Sequence, residues 1–330
     1  MSHLSDPISQ DKKARLAFYR QAFGIKRSNP HEHNSLGRIL LRQGKISDAE
    51  NAFRWAIALQ PDYAGAFHNL GIAFAAQGEL DKALDAYREA LRLDPENATA
   101  THLIRALSGE RSSAPPPNYI RSLFDHYADA FEKHLTESLR YHAPALMREA
   151  LIACRPDERY YANVMDLGCG TGLVGLEFAG LAGRLSGIDL SENMLQRARK
   201  KGVYEVLVQG NICSVLEKCR EIYDLFLAGD VVVYMGDLQE LFHLVRLRSS
   251  PQAPFVFSTE ISLQEDYHLQ KCGRYAHSHR YITELAGAYD FTILLVKDIP
   301  LRWEQDTLVP GKIYVLSSVD NCPQPPSSPP

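Results

Sequence analysis

Val164-Met165-Asp166-Leu167-Gly168-Cys169-Gly170-Thr171-Gly172-Leu173-Val174-Gly175 decides the fold of the larger, C-terminal part of this chain. Val164 to Leu167 reads as a buried strand whose end carries a carboxylate. Three glycines follow at alternate positions, and an apolar helical pattern starts behind them. Without a Cβ, such a loop lets backbone N–H groups come unusually close to a ligand. A second strand, Leu185-Ser186-Gly187-Ile188-Asp189, ends in another acid 23 residues after the first. Strand, glycine loop, helix, strand and acid is the order of a nucleoside-cofactor site.

Outward from this loop the chain alternates. Period-two and continuous apolar runs predict strands at about 163–167, 185–189, 204–209, 222–228, 253–258, 291–297 and 312–318. Helical periodicity fits about 172–181, 192–201, 213–220, 237–247 and 279–287. The alternation predicts an α/β fold, a mostly parallel sheet covered on both faces. The connection Asp298–Gly311 is non-helical, so the last two strands should pair antiparallel.

The loop admits two cofactors. Gly170-x-Gly172-x-x-Gly175 satisfies the dinucleotide fingerprint, and Asp189 lies at about the expected distance beyond it. Three features oppose a nicotinamide or flavin enzyme. Asp166 sits at a strand end that dinucleotide folds keep apolar. The pattern Asp166-x-Gly168-x-Gly170-x-Gly172 carries its own acid, suited to a ligand ammonium group. The terminal antiparallel pair does not belong to the six-stranded dinucleotide order.

The region from about Tyr119 to Ser318 resembles the class I S-adenosylmethionine-dependent methyltransferases. The resemblance implies a seven-stranded Rossmann-like sheet with an antiparallel last strand. It implies that Asp166, Gly168, Gly170 and Gly172 cradle the methionine part of the cofactor and that Asp189 binds both ribose hydroxyls. Leu190 and Met194 would flank the adenine. Gly210-Asn211-Ile212 stands where the family usually has Gly-Asp, so the Asn211 amide oxygen would accept from the adenine amine beside Ile212. Tyr223-Asp224-Leu225-Phe226-Leu227-Ala228-Gly229-Asp230 would deliver Asp230 to the edge that the transferable methyl faces. The product would be S-adenosylhomocysteine.

The N-terminal third is a repeat of period 34. Leu36-Gly37 recurs as Leu70-Gly71, Leu40 as Phe74, Gly44 as Gly78, Ala49 as Ala83, Phe53 as Tyr87, Ala56 as Ala90 and Pro61 as Pro95. Small residues at Gly37/Gly71 and Ala49/Ala83 let antiparallel helices approach closely. Phe53 and Tyr87 are expected to fill the gap to the next unit, and the prolines end the second helix. This looks like a tetratricopeptide pair, an all-α module over 1–108 with repeats at about 30–62 and 64–97. Because stacked repeats need about three units to bury a continuous core, the segments at about 11–24 and 98–107 should act as caps. Such a module implies a protein or peptide partner, or a plain scaffold.

Ser108-Gly109-Glu110-Arg111-Ser112-Ser113-Ala114-Pro115-Pro116-Pro117 reads as a hinge, and the linker is set at 109–118. A methyltransferase domain over 119–320 follows, and the Pro/Ser-rich tail 321–330 cannot form a packed element. Ile120, Phe124, Tyr127, Phe131 and Leu135 make one apolar helix face. That helix either packs on the domain core or serves as a lid, with the Tyr127 hydroxyl touching the substrate.

Taken together, the repeat pair and three further segments resemble bacterial-type proteins that fuse tetratricopeptide repeats to a methyltransferase. The segments are Leu123-Phe124-Asp125-His126-Tyr127-Ala128-Asp129-Ala130-Phe131-Glu132-Lys133-His134-Leu135, Gly229-Asp230-Val231-Val232-Val233-Tyr234-Met235-Gly236-Asp237-Leu238 and Gly273-Arg274-Tyr275-Ala276-His277-Ser278.

A sulfonium methyl is already electrophilic, so the protein must chiefly align a nucleophile and exclude water. Candidate groups lie on loops at the carboxyl ends of the strands. Asp230, Tyr234 and His277 are the catalytic candidates. Tyr127, Tyr234, His277, His279 and Tyr281 are the candidates for substrate contact, with His268 and Tyr275 in the same insertion, about 261–279. No paired Cys/His spacing supports a metal site.

Bulk properties narrow the class. The 330 residues leave room for two domains, and 45% are hydrophobic. Net charge is −4 with no basic run longer than the three residues Arg199-Lys200-Lys201, which disfavours nucleic acid. Six cysteines without a CxxC pair suggest reduced thiols. No apolar run is long enough to span a bilayer, so a cytoplasmic protein without a membrane partner is expected. A small-molecule or protein acceptor follows. The alternative is a non-catalytic repeat adaptor whose methyltransferase-like domain only binds cofactor.

Overall fold

The computed structural model describes residues 29–116, 118–121, 123–124, 141–264, 266–304 and 307–319. They fall into two compact units that divide between Glu110 and Arg111.

The first unit holds α1 (Pro30–Arg42), α2 (Ile46–Leu59), α3 (Ala64–Ala76), α4 (Leu80–Leu93) and α5 (Ala98–Ser108). Helix α1 starts on Asn29, whose side chain accepts from the His31 and Glu32 N–H groups, with Pro30 at the first helical position. Gly44 and Gly78 turn the chain between paired helices at φ +71° and +77°. Within each pair a glycine faces an aromatic ring. A Cβ at Gly37 would lie 2.3 Å from the Phe53 ring, and one at Gly71 would lie 2.5 Å from the Tyr87 ring. The aromatics therefore fill the space over the glycine of their own repeat, rather than the gap to the next one. Both rings are buried, as are Ala49 and Ala83. Leu103, Ile104 and Leu107 of α5 pack against the same core, as a cap would. The other expected cap, at 11–24, lies outside the described residues.

The second unit is a seven-stranded sheet of order β3-β2-β1-β4-β5-β9-β8. Its strands are β1 (Tyr161–Leu167), β2 (Ala182–Asp189), β3 (Val206–Gln209), β4 (Leu225–Ala228), β5 (Pro254–Glu260), β8 (Phe291–Glu304) and β9 (Thr307–Ser318). The first five are parallel, and β9 runs antiparallel to both β5 and β8. The sheet is covered on both sides, which is why β4 and β5 read as continuous apolar runs. Phe226, Phe255 and Phe257 face a layer of α9 (Ile212–Lys218), α10 (Gln239–Arg248) and α11 (His279–Ala288). Leu225, Leu227 and Val256 face α6 (Ala143–Cys154) and α7 (Leu173–Phe178). Helix α8 (Glu192–Lys201) follows β2, begins on the Ser191 hydroxyl and ends at Gly202 in left-handed conformation.

Two elements differ from the sequence reading. Strands β8 and β9 continue through most of the stretch read as a non-helical connection, so Arg302 and Glu304 belong to a strand. The insertion after β5 contains a hairpin, β6 (Tyr267–Leu269) with β7 (Tyr275–His277). The linker composition also hides a firm attachment. The Ser113 carbonyl accepts from the N–H groups of Gly236 (3.1 Å) and Asp237 (2.8 Å), and Arg111 pairs with Asp266 at 2.9 Å. A Cβ at Gly236 would lie 2.6 Å from that carbonyl oxygen, so only glycine allows this approach. The aromatic helix is described at 118–121 and 123–124. Tyr127, Phe131, Leu135 and the tail 321–330 lie outside the described residues. Among the described residues no helix is long and apolar enough to cross a membrane.

Candidate active site

The glycine loop connects β1 to α7, and its three alternating glycines all take positive φ: Gly168 +64°, Gly170 +53° and Gly172 +87°. L-residues with a Cβ avoid this region, so the spacing is a backbone requirement. What lies in front of each glycine differs. A Cβ on Gly168 would lie 2.2 Å from Val231, the residue after Asp230, so the loop touches the segment that follows β4. A Cβ on Gly170 would meet nothing nearer than the Gly168 carbonyl oxygen at 4.0 Å. At Gly170 the loop is open, as a cradle for a ligand must be.

Asp189 holds that cradle in shape. One carboxylate oxygen accepts from the Gly170 N–H at 2.9 Å and the other from Ser191 N–H at 2.8 Å. Asp166 is placed differently from the expectation of a direct ligand contact. It is fully buried, and its Oδ2 accepts from the Tyr204 hydroxyl at 2.6 Å. Its Oδ1 is buried without a hydrogen-bond partner among the described residues. Burial pushes this carboxyl up to about 7, against the Tyr204 hydrogen bond, which favours the ionised form.

Sequence reasoning missed Tyr204. Its ring occupies the space that glycines leave at three positions: a Cβ at Gly172, Gly175 or Gly187 would meet it at 2.9, 2.2 and 3.0 Å. Burial and the neighbouring Asp166 both raise its phenol, so it stays a donor. The signal in the sequence was the glycine excess itself, since Gly175 and Gly187 have no turn to make.

The remaining cofactor-side candidates are mostly apolar supports. Met194 is buried at 1% exposure in α8, Leu190 is half-buried and Ile212 belongs to the core. The Asn211 side-chain oxygen caps α9 by accepting from Ser214 N–H at 3.1 Å. Its reading as the adenine acceptor has to share that oxygen with the helix.

Asp230 leaves β4 at φ +56°, a conformation that costs a non-glycine residue of order 1 kcal/mol or more. Its N–H donates to the Ser258 hydroxyl at 2.8 Å, and its carboxylate receives Arg302 Nη1 at 3.0 and 3.2 Å. Burial raises the Asp230 carboxyl while Arg302 opposes the rise. Tyr234, in a single 3-10 turn, meets Phe124 edge-on at 5.1 Å, and burial raises its phenol. The first part of the aromatic helix thus touches the segment after β4.

His277 and Tyr281 both bond to the stretch that follows Tyr234. His277 is 1% exposed, its Nε2 lies 3.0 Å from the Gly236 carbonyl, and burial lowers it to about 4. The ring is therefore neutral near pH 7 and meets the carbonyl of Gly236, whose N–H donates to Ser113. The Tyr281 hydroxyl donates to Asp237 at 2.8 Å and accepts from Leu238 N–H at 2.9 Å. His279 is exposed and meets Tyr314 of β9, and His268 bonds Ser262. Both His277 and Tyr281 thus hold residues 235–238, the stretch just beyond Tyr234. Among the described residues no His, Cys, Asp and Glu side chains group as metal ligands.

Similarity to known proteins agrees with this architecture. Residues 34–98 match the tetratricopeptide repeat family, and residues 164–247 match the methyltransferase domain family. The chain is 41% identical over 144 residues to a carboxy-S-adenosyl-L-methionine synthase of Wolinella succinogenes, covering 41% of this chain and 59% of the relative. It is 33% identical over 93 residues to methyltransferase-like protein 27 of Homo sapiens, covering 28% and 36%. It is 28% identical over 131 residues to a malonyl-[acyl-carrier protein] O-methyltransferase of Salmonella typhimurium, covering 38% and 49%. The chain thus spans between about a third and three fifths of these relatives. The solved structure of a magnesium protoporphyrin IX methyltransferase from Synechocystis superposes with a TM-score of 0.48 at 14% identity, over 62% of this chain and 100% of that one. This chain is a fusion of tetratricopeptide repeats with a methyltransferase domain.

Proposed function

We propose that the second unit is an S-adenosylmethionine-dependent methyltransferase acting on a small-molecule or protein acceptor. The observation that carries the reading is the Asp189–Gly170 lock, in which the acid ending β2 fixes an open glycine loop at the end of β1. Gly168, Gly170 and Gly172 would hold the methionine part, and the Asp189 carboxylate would accept from the two ribose hydroxyls. Leu190, Met194 and Ile212 would bound the adenine. Asp166 acts beneath the loop, where its bond to Tyr204 fixes the end of β1. When bound, the cofactor supplies a methyl carbon that an acceptor lone pair attacks while sulfur keeps the electrons of the broken bond. The chain's own residues then have three tasks: hold the acceptor near Asp230 and Tyr234, exclude water, and receive the acceptor's proton where it has one. His277, neutral and bonded to Gly236, serves as a loop anchor in this scheme. The repeats would present a protein or peptide partner.

Titration calorimetry of the full chain tests the reading. S-adenosylmethionine and S-adenosylhomocysteine should bind, and NAD should not. Binding of NAD alone would overturn it. One observation leaves a place for the adaptor reading, the use of the Asn211 oxygen as a helix cap. S-adenosylhomocysteine that co-purifies with the protein would favour turnover over a passive adaptor.

A further inference from the structure

Behind Asp230 lies an ionic cluster that spans four separate stretches of sequence. Arg302 of β8 is 3% exposed and surrounded by carboxylates. Its Nη1 reaches Asp230, its Nε reaches Glu304 at 2.7 Å, and its Nη2 contacts Glu260. Arg274 donates from Nε to Glu260 at 2.7 Å and pairs through Nη2 with Glu304 at 2.6 Å. Gln270 adds a hydrogen bond to Glu260 at 2.5 Å. Burial alone would depress the Arg302 guanidinium, but Asp230, Glu260 and Glu304 outweigh it and hold it above its ordinary value.

The charges do not balance. Among the described residues two arginines face three carboxylates, which leaves one surplus negative charge. Glu260 and Glu304 each touch both arginines, whereas among the same residues Asp230 pairs with Arg302 alone. The least compensated carboxylate is thus the one next to Val231 and the glycine loop. Two phenols, Tyr141 and Tyr234, feel the Asp230 charge; burial first and Asp230 second keep both protonated. Both arginines are occupied by protein carboxylates, so a free carboxylate on an acceptor would meet the surplus charge with no spare guanidinium to receive it.

We propose that this cluster selects the methyl acceptor: it favours one that brings a cationic amine, N–H or O–H to Asp230 and disfavours one that presents a free carboxylate. Arg302 is the positioning residue, because it fixes the Asp230 carboxylate without reaching past it. The inference rests on the methyltransferase reading above.

The test compares two ligands of the full chain by calorimetry: neutral S-adenosylhomocysteine, and sinefungin, in which a carbon-borne amine replaces the sulfonium methyl. A fixed negative charge beside the amine should make sinefungin bind at least about tenfold more tightly. Asp230→Asn should weaken sinefungin more than S-adenosylhomocysteine and bring the two to within about twofold. Arg302→Lys should retain part of the preference, and Arg302→Met should lose it. Because Arg302→Met can unfold a buried cluster, the decision falls on Asp230→Asn in the intact network. Equal affinities in the unmodified protein, or a ratio untouched by Asp230→Asn, overturn the inference alone. Failure of both ligands to bind removes the methyltransferase reading and this inference with it.

Discussion

The two sides of the proposed site at the ends of β1 and β4 are assembled in opposite ways. The proposed cofactor side comes from one run of sequence, Asp166 to Asp189, with Tyr204 close behind. Its contacts are backbone N–H bonds to one carboxylate and a ring set against three glycines. The acceptor side gathers Asp230, Glu260, Arg274, Arg302 and Glu304 from β4 to β8, and its contacts are side-chain ion pairs. A local, backbone-made site tolerates little variation in residue type, because φ and Cβ clashes dictate it. A site made of side chains across strands can change its chemistry while the fold stays the same. The contrast explains how one cofactor grammar can serve many acceptors.

Four experiments can break or sharpen that contrast. The largest effect is expected from Asp189→Ala, which removes both loop bonds and the proposed ribose acceptor. S-adenosylmethionine affinity should fall about 100-fold or more by calorimetry, in line with the loss of two charge-assisted bonds. An unchanged dissociation constant would sink the ribose assignment.

Tyr204→Phe should come next. It leaves a buried carboxyl without its donor and should cost roughly 1–3 kcal/mol in denaturant unfolding. Asp166 also sets a pH dependence. Its folded-state pKa, about 7, lies above the ordinary 3.8, so the native state binds the proton more tightly than the unfolded chain does. The stability this group contributes is fully present below about pH 4 and is lost as pH rises through about 7. Unfolding midpoints measured from pH 4 to 8 should show that loss, and Asp166→Asn should flatten it. The same slope in both proteins would mean that Asp166 is not the group responsible.

The smallest effect on the cofactor is expected from His277→Ala. It should leave S-adenosylmethionine affinity within about twofold while amide exchange at Gly236 and Asp237 quickens about tenfold, because one of the fasteners of that loop is gone. A large loss of cofactor affinity would show that the two sides are coupled more tightly than their separate construction implies.

Legibility followed the same division. Gly168, Gly170, Gly172 and Asp189 were readable because a positive φ leaves a glycine in the sequence and a strand end leaves an acid. The repeat was readable for a similar reason: Gly37 and Gly71 recur at one period with the aromatic that covers each. The period could not say which gap the aromatic fills, since that depends on how the helices pair. Tyr204 was hidden because a lone tyrosine at a strand entrance carries no pattern. Arg302 was hidden because strand β8 was read as ending at 297, and an arginine beyond it passed for a loop residue. The bonds of His277 and Tyr281 to residues 236–238 were hidden, because which backbone groups a ring or hydroxyl meets depends on the tertiary structure.

The sequence by itself determined the repeat, the alternating α/β order, the antiparallel end of the sheet and the glycine loop with its acid. These are local consequences of periodicity, φ and side-chain size, and each is encoded within a few dozen residues. Only the tertiary structure decided that Tyr204 packs under the loop glycines, that Ser113 and His277 both bond Gly236, and that Asp230 joins Arg302 in a cluster with Glu260, Arg274 and Glu304. Those facts depend on strands distant in sequence lying side by side, where burial removes water and leaves each charge to the partners the fold supplies.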